Sequence, residues 1–507
     1  MALRLFNTMG RQTQDFIPIR KGECGFYGCG PTVYNYAHIG NLRAYVFLDT
    51  LDRTMRFLGY KVNHVMNITD IGHLTGDADS GEDKMLKTAK ERGQSVLETA
   101  DFYTKAFFKD IDSLNIRRPT VVCKATDHIQ DMIDLIKRIE ANGHTYSSGG
   151  NLYYDVSTFP DYGKLANLNL NDLKAGARID IDANKRNPYD FVLWFTKSKF
   201  ENQALVWDSP WGKGYPGWHI ECSAMSMKYL GEQFDIHTGG IDHIPIHHTN
   251  EIAQSEGATG KKWVNYWLHN EFLVVNKEKM AKSSGSFLTL QKLIDAGFEA
   301  LDYRFFLLGG HYRSQLAFSW EAMESAKNAR KALVQRFAKT LKSAYAEGLT
   351  KEDAERYAHF SSKDASDEDF EECARRLQKL SAEAKQSLDA FRQALEDDLA
   401  LPRALSEIQT AVKNKNIKAA DCVLLTAAAD GVLGLELVKS ASALLEEAER
   451  GTAGIGTGDA DIDKLVAERT RAKKQKDYAR ADEIRTLLKE KGIILEDTPE
   501  GTTWKRQ

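Results

Sequence analysis

Apolar residues recur at helical spacing from about Asn41 to Leu58, in NLRAYVFLDTLDRTMRFL, and predict an amphipathic helix. Glu23 to Gly28 ahead of it reads as a short buried strand, and Lys61 to Asn67 after it as a second. Strand, Gly/Pro turn, helix and strand form the opening unit of a doubly wound parallel sheet, whose ligands sit at the carboxyl ends of the strands. Thr69 to Asp83, with three glycines and five acidic residues, reads as a loop. Lys84 to Ser113 is expected to be helical, Val121 to Cys123 a short strand, and Ile129 to Asn142 another helix. From Thr145 to about Lys213 the pattern changes to short alternating runs such as NLYYDV, broken by Gly, Pro and Asn, which predicts a β-rich insertion. The α/β pattern resumes around Gly217 and runs through Val275.

Beyond Trp320 the chain reads as almost wholly helical to about Glu449, with polar breaks near Ser361 to Ser366. Amphipathic helices in series imply a bundle. Gly451 to Gly458, GTAGIGTG, reads as a flexible linker. After it a single basic helix is expected over Arg469 to Lys491, then a small hairpin turning at Asp497-Thr498-Pro499-Glu500-Gly501. The expected fold is therefore an α/β, Rossmann-like domain with a β-rich insertion, followed by an α-helical bundle and a small C-terminal α+β module. Its divisions are residues 1–144 with 214–265, the insertion 145–213, a connecting region 266–320, the bundle 321–450, the linker 451–458 and the module 459–507.

Composition narrows the class. A chain of 507 residues exceeds what one core usually serves. Nowhere are there about 18 consecutive apolar residues for a membrane span, and Met1 to Gly10 hold no apolar run long enough for a signal peptide. The six cysteines are sparse and scattered, which points to a reducing cytoplasm. A net charge of −4 advertises no polyanion partner, so RNA binding must come from local basic surface. Arg469 to Lys491, with nine basic against four acidic residues, is such a place.

The chemistry-bearing residues begin where the first strand ends. Cys29-Gly30-Pro31-Thr32-Val33-Tyr34 is followed four residues later by His38-Ile39-Gly40-Asn41, so a soft metal ligand and a nucleotide-binding turn share one strand-to-helix connection. Six of the thirteen histidines lie between His219 and His269, alongside Cys222. His247 and Glu251, four apart in HHTNEIAQSEG, would share one helical face, as two metal ligands often do. Cys29 and Cys222 would complete a set that suits zinc. Ordinary core histidines and buried free cysteines explain the same spacing. His243 and His248 are poorer ligand candidates, since neither lies four residues before an acidic residue on this helix. Gly239-Gly240 before Asp242 would let a backbone approach a flat ligand, or simply make a tight turn. Lys279 and Lys282, in KMAKSSG, would clamp a triphosphate or decorate a solvated loop.

Taken together, these segments resemble a known family. His38-Ile39-Gly40-Asn41 resembles the HIGH element, and Lys279 to Ser283 the KMSKS element, of class I aminoacyl-tRNA synthetases. Cys29 to Tyr34, Asn67-Ile68-Thr69-Asp70, Gly217 to Met225 (GWHIECSAM), the HHTNE run, His311-Tyr312-Arg313 and the closing GIILEDTPEGTTW are similar to the cysteinyl-tRNA synthetase family over essentially the whole chain.

The resemblance implies one Zn(2+) per chain on Cys29, Cys222, His247 and Glu251, joined by the substrate thiol. It implies an amino-acid pocket lined by Gly30, Thr69, Trp218 and His219 with His247. It also implies ATP, accompanied by Mg(2+), held at His38, Gly40, Gly239, Gly240 and Asp242, with His38, Asn41, Lys279 and Lys282 serving the chemistry. Its partners would be ATP, L-cysteine and cysteine tRNA, with no membrane, in a cytoplasmic monomer, and its anticodon contacts would lie in the bundle and the C-terminal module. The sequence departs from the family pattern at Asn41, where the second histidine of HIGH stands, and at Ala281, a serine in KMSKS. It departs again at Thr249, commonly glutamate, at Tyr215, commonly arginine, and in a longer loop over Gly72 to Asp83. Two rivals remain in view: a cysteine ligase acting on an amino sugar, which would lack the long tail, and a non-catalytic zinc- and RNA-binding relative.

Overall fold

A computed structural model describes residues 2–71, 74–76, 80–168, 184–197, 205–275, 287–453, 460–475, 477–498 and 501–506. Its centre is a five-stranded sheet, all pairs parallel. The strands are β1 (Glu23–Gly28), β2 (Lys61–Ile68), β3 (Val121–Lys124), β4 (Phe234–Gly240) and β5 (Val264–Asn270), in the spatial order β5-β4-β1-β2-β3. The chain moves outward from β1 through β2 to β3, then returns to the other side of β1 with β4. Beyond the carboxyl ends of β1 and β4 the connections diverge and leave the crevice in which such sheets bind ligands. The sheet helices are α1 (Ile39–Phe57), α2 (Val96–Ser113), α3 (Ile129–Ala141), α4 (Trp218–Leu230) and α5 (His247–Thr259).

The expected helix over Lys84 to Ser113 is two helices, Lys84–Arg92 and α2. Gly93 takes a positive φ of 63°, and Ser95 starts α2 with a capping box to Glu98. The expected loop over Thr69 to Asp83 contains a short antiparallel pair, Leu74–Gly76 with Ser80–Asp83. Strands at 145–148, 151–154 and 191–195 form one antiparallel sheet that the strand 215–216, just beyond the expected end of the insertion at 213, completes, so the insertion runs on through Pro216. Tyr215 stacks on Phe195 there, ring centroids 4.8 Å apart, in a small core with Tyr146, Tyr153 and Val192. The aromatic ring at this departure from the family pattern is thus a packing residue of the insertion.

Seven helices follow between Trp320 and Ala453. Ser319, Thr350 and Ser366 cap three of them through side-chain oxygens. The helix Ala419–Leu433 is buried from Cys422 to its end, as its nearly continuous apolar sequence requires. The last helix, Leu437–Ala453, runs into the expected linker, whose remaining residues 454–458 lie outside the described ones. The single basic helix expected over Arg469 to Lys491 is instead two, Ala460–Lys474 and Tyr478–Glu490. The Asp477 side chain accepts from the Arg480 amide at 3.1 Å and starts the second helix. Folding back lets Ile462 and Val466 pack with Ile484, Leu488, Ile493 and Trp504. An unbroken helix would leave that apolar stripe in water.

Candidate active site

The turn after β1 is held by backbone pairing. Val33 donates to the Thr69 carbonyl at 3.2 Å and Thr69 to the Pro31 carbonyl at 3.0 Å, extending the register of β1 and β2 past their ends. Gly30 is required there, because a Cβ would stand 1.6 Å from the Asn67 carbonyl oxygen. Its amide donates to Asn67 Oδ1 at 2.8 Å. Asn67 Nδ2 then donates to Thr69 Oγ1 at 3.0 Å, and Thr69 Oγ1 to Glu221 Oε2 at 2.9 Å. This buried chain ties the end of β2 to the first turn of α4, and so fixes Cys29 relative to Cys222.

α5 is the least ordinary helix of the domain. His247, His248, Thr249, Asn250, Glu251, Gln254 and Ser255 are all buried, although a helix sealed in protein is normally apolar. The ligand atoms of Cys29, Cys222, His247 and Glu251 lie within 4.8 Å of one another. A second group, Cys29, His237, His248 and Glu251, meets the same limit and shares two members. His219 Nδ1 lies 2.8 Å from His247 Nδ1 and turns His247 Nε2 to within 3.0 Å of Glu251 Oε1. That carboxylate oxygen is buried and has no hydrogen-bond partner, while Oε2 lies 2.9 Å from His237 Nε2. Two sulfurs, imidazole nitrogens and a buried carboxylate oxygen converging in this way fit a soft divalent cation such as zinc.

The electrostatics agree. The Cys222 hydrogen bond, opposed by burial and assisted by His248, holds the Cys29 thiol well below its ordinary pKa. That same bond, with burial and Glu251, pushes Cys222 up. Burial opposes charge on His243, yet the Cys29 sulfur raises it to about 9. Burial and the neighbouring His243 and His237 lower His269 to about 3. From Cys29 a hydrogen-bonded line runs inward, through His248 Nε2 at 3.4 Å, then His248 Nδ1 to His269 Nε2 at 2.8 Å, then His269 Nδ1 to Thr8 Oγ1 at 2.7 Å. His237 and His248 are participants that the four-residue spacing rule passed over. The signal available was the HH pair itself, on a helix with no apolar face.

The cleft in front of this cluster encloses about 530 Å³. Cys29, Gly30, Trp218, Cys222 and His247 line it together with His38, Gly40, Asn41, Gly239, Gly240 and Asp242. Thr69 and His219, expected in the amino-acid pocket, are buried behind its wall and reach it through Gly30 and His247. Lys279 and Lys282 lie outside the described residues.

At the start of α1, His38 Nδ1 accepts from the Asn41 amide at 3.1 Å and Asn41 Oδ1 accepts from the His38 amide at 3.2 Å. Burial lowers the His38 pKa, so the ring is neutral with its proton on Nε2. Gly40 admits that ring, since a Cβ would lie 2.9 Å from His38 Cε1. The N-terminus of α1 carries partial positive charge that favours a phosphate, although the Ile39 amide already donates to the Leu288 carbonyl at 2.8 Å and the Asn41 amide to His38. Gly239 has the same kind of necessity, with His248 Cε1 2.7 Å from where its Cβ would be.

Residues 15–328 match the model of the class I (C) tRNA synthetase catalytic domain, and residues 458–504 that of the cysteinyl-tRNA ligase anticodon binding domain. The chain belongs to the cysteinyl-tRNA synthetase family. A cysteine–tRNA ligase of Treponema denticola is 63% identical over 506 residues, all of both chains, and one of Treponema pallidum is 48% identical over 540 residues, again all of both. Methionyl-tRNA synthetase of Mycobacterium tuberculosis, solved with methionyl-adenylate, superposes with a TM-score of 0.53 at 16% identity, covering 83% of this chain and 91% of that one. The Agrobacterium radiobacter leucyl enzyme in its tRNA complex gives 0.54 at 11% identity, covering 85% and 86%. These last two show the class I fold. As a family member the chain is a ligase that joins cysteine to tRNA. Among the described residues, no helix is long and apolar enough to cross a membrane.

Proposed function

We propose that the cleft activates L-cysteine with ATP as cysteinyl-adenylate and passes it to the 3′ end of cysteine tRNA, with zinc selecting the substrate thiol. The observation that carries this reading is the convergence of Cys29, Cys222, His247 and Glu251 within 4.8 Å, beside the His38 end of α1 in one cleft. Cys29, Cys222, His247 and Glu251 would hold zinc, which when bound would supply a soft Lewis acid that favours a substrate thiolate over a serine hydroxyl.

The protein's own groups do the rest. Trp218, 4.4 Å from the His247 ring, walls the amino-acid end. The positive end of α1, with His38 Nε2–H, receives the triphosphate of Mg-ATP. Gly239 and Gly240 give the adenosine room, and Asp242 accepts from a ribose hydroxyl. The cysteine carboxylate then attacks the α-phosphorus and pyrophosphate leaves. Lys279 and Lys282, on the segment that follows Val275, offset the charge moving onto that leaving group. A ribose hydroxyl of the tRNA attacks the activated carbonyl, and AMP leaves.

Cobalt substitution tests the metal. The cobalt protein should show an absorption band that shifts with cysteine and not with serine, and Cys222→Ser should lose metal and cysteine binding together. A spectrum indifferent to cysteine would remove zinc from selection. Cysteine-dependent ATP–pyrophosphate exchange, followed by charging of a cysteine tRNA transcript, tests the two chemical steps.

A further inference from the structure

The cleft has a third wall that neither ATP nor cysteine accounts for. Tyr36, Tyr103, Phe107 and Met85 line it. Tyr36 is 44% exposed, and Phe102 beside it 36%. Their rings meet edge to face at 6.0 Å, and Tyr36 meets Tyr103 in the same way at 5.2 Å. Rings this exposed keep part of their π surface in water, whereas a core aromatic would be covered. The Arg92 guanidinium lies 4.0 Å over Phe102 and 5.3 Å from the Tyr103 ring. Its polar partners are Gln94 Oε1 at 2.8 Å and the Tyr103 hydroxyl at 3.5 Å. Among the described residues no carboxylate forms an ion pair with it, so its charge is left for another partner.

Flat exposed rings beside a cation with no counter-charge are the chemistry that grips unpaired nucleotides, by stacking and by attraction for phosphate. The neighbouring segments explain the placement. Tyr36 is two residues before His38, so a base stacked on its ring would bring the attached ribose to the side of the cleft where the activated carbonyl forms. We propose that Tyr36 and Phe102, backed by Arg92, are the stacking platform for the unpaired 3′-terminal nucleotide of the tRNA. This rests on the tRNA-charging reading above and adds the residues that receive the acceptor end.

The test is a cycle between the platform and the nucleotide. Binding of a cysteine tRNA transcript ending in CCA is compared with one lacking the final adenosine, for the wild type, Tyr36→Ala, Phe102→Ala and Tyr36→Phe. Removing the adenosine should weaken wild-type binding by about tenfold, the lower part of a base–aromatic stacking contribution. Tyr36→Ala and Phe102→Ala should lose affinity for the full transcript and none for the shortened one, while Tyr36→Phe keeps both. Equal losses on both transcripts, or no loss on either, would overturn the assignment. Pyrophosphate exchange involves no RNA and reports each variant's fold and its ATP and cysteine sites. Its loss in both alanine variants would assign the rings to those functions and also overturn the proposal. Absence of exchange and charging in the wild type would instead sink the underlying reading.

Discussion

At the scale of single residues, Asn41 has a structural explanation. Its side chain closes the capping box with His38, fixing the histidine that faces the cleft, a job that needs an acceptor and no charge. Asn41→Ala should cost about 1 kcal/mol of stability, as lost caps do, and should slow pyrophosphate exchange more than it weakens cysteine binding. Thermal unfolding and exchange kinetics measure the two effects. Asp110 offers a test without catalysis. Burial raises its carboxyl to about 6, so its folded pKa exceeds the unfolded value near 3.9. The group therefore destabilises the fold above pH 6, less as pH falls through 6 toward 4, and not at all below both values. Asp110→Asn should raise the unfolding temperature at pH 8, with the gain shrinking to nothing near pH 4.

Among the elements, α1 does more than present a helix end. Arg43, buried one turn after Gly40, donates to the carbonyls of Phe272 and Ser314, and to that of His311 at 3.2 Å. Leu273–Val275 pairs with Leu316–Phe318 at this place, and Lys279 and Lys282 follow in the chain. Asp398 anchors the other side, accepting from the Tyr312 hydroxyl at 2.7 Å and from Arg313 Nε at 2.6 Å. Arg43→Met would leave several buried carbonyls without donors, each costing about 1–3 kcal/mol. The unfolding temperature should fall. Exchange turnover should also fall, with the cysteine KM held, because Arg43 donates to Phe272, His311, Tyr312 and Ser314 and not to the Cys29, Cys222, His247 and Glu251 group. Steady-state exchange at varied cysteine separates those terms.

For the whole molecule, two fully buried arginines join the sheet domain to the bundle. Arg53 and Arg304 share Asp49 and donate to the carbonyls of Asn115, Gly431 and Leu433. Paired and hydrogen-bonded in this way, they hold one body together through charges whose loss would be severe. The C-terminal module has its own small core and matches an anticodon-binding family. A chain ending at Glu449 should therefore retain pyrophosphate exchange while charging tRNA poorly, since adenylate formation uses none of the missing residues. Undiminished charging would place anticodon recognition elsewhere.

The order of elements and the family are legible along the chain, because helical periodicity, β-branched runs and Gly/Pro turns are local properties. The strand Lys61–Ile68 and the helix Ile39–Phe57 fall within two residues of their expected bounds. The sequence also singled out Cys29, Cys222, His247 and Glu251, two of them through the spacing of one helical face. What it left open was which histidines join them. His237 belongs to a strand and His248 to a helix, and their approach to Cys29 depends on how that strand and helix pack. The same holds for the break at Asp477, where apolar residues on both sides required a partner, and for Tyr36 beside Phe102. Only tertiary structure decides such meetings, because they are set by packing between segments far apart in the chain, and no local pattern encodes that distance.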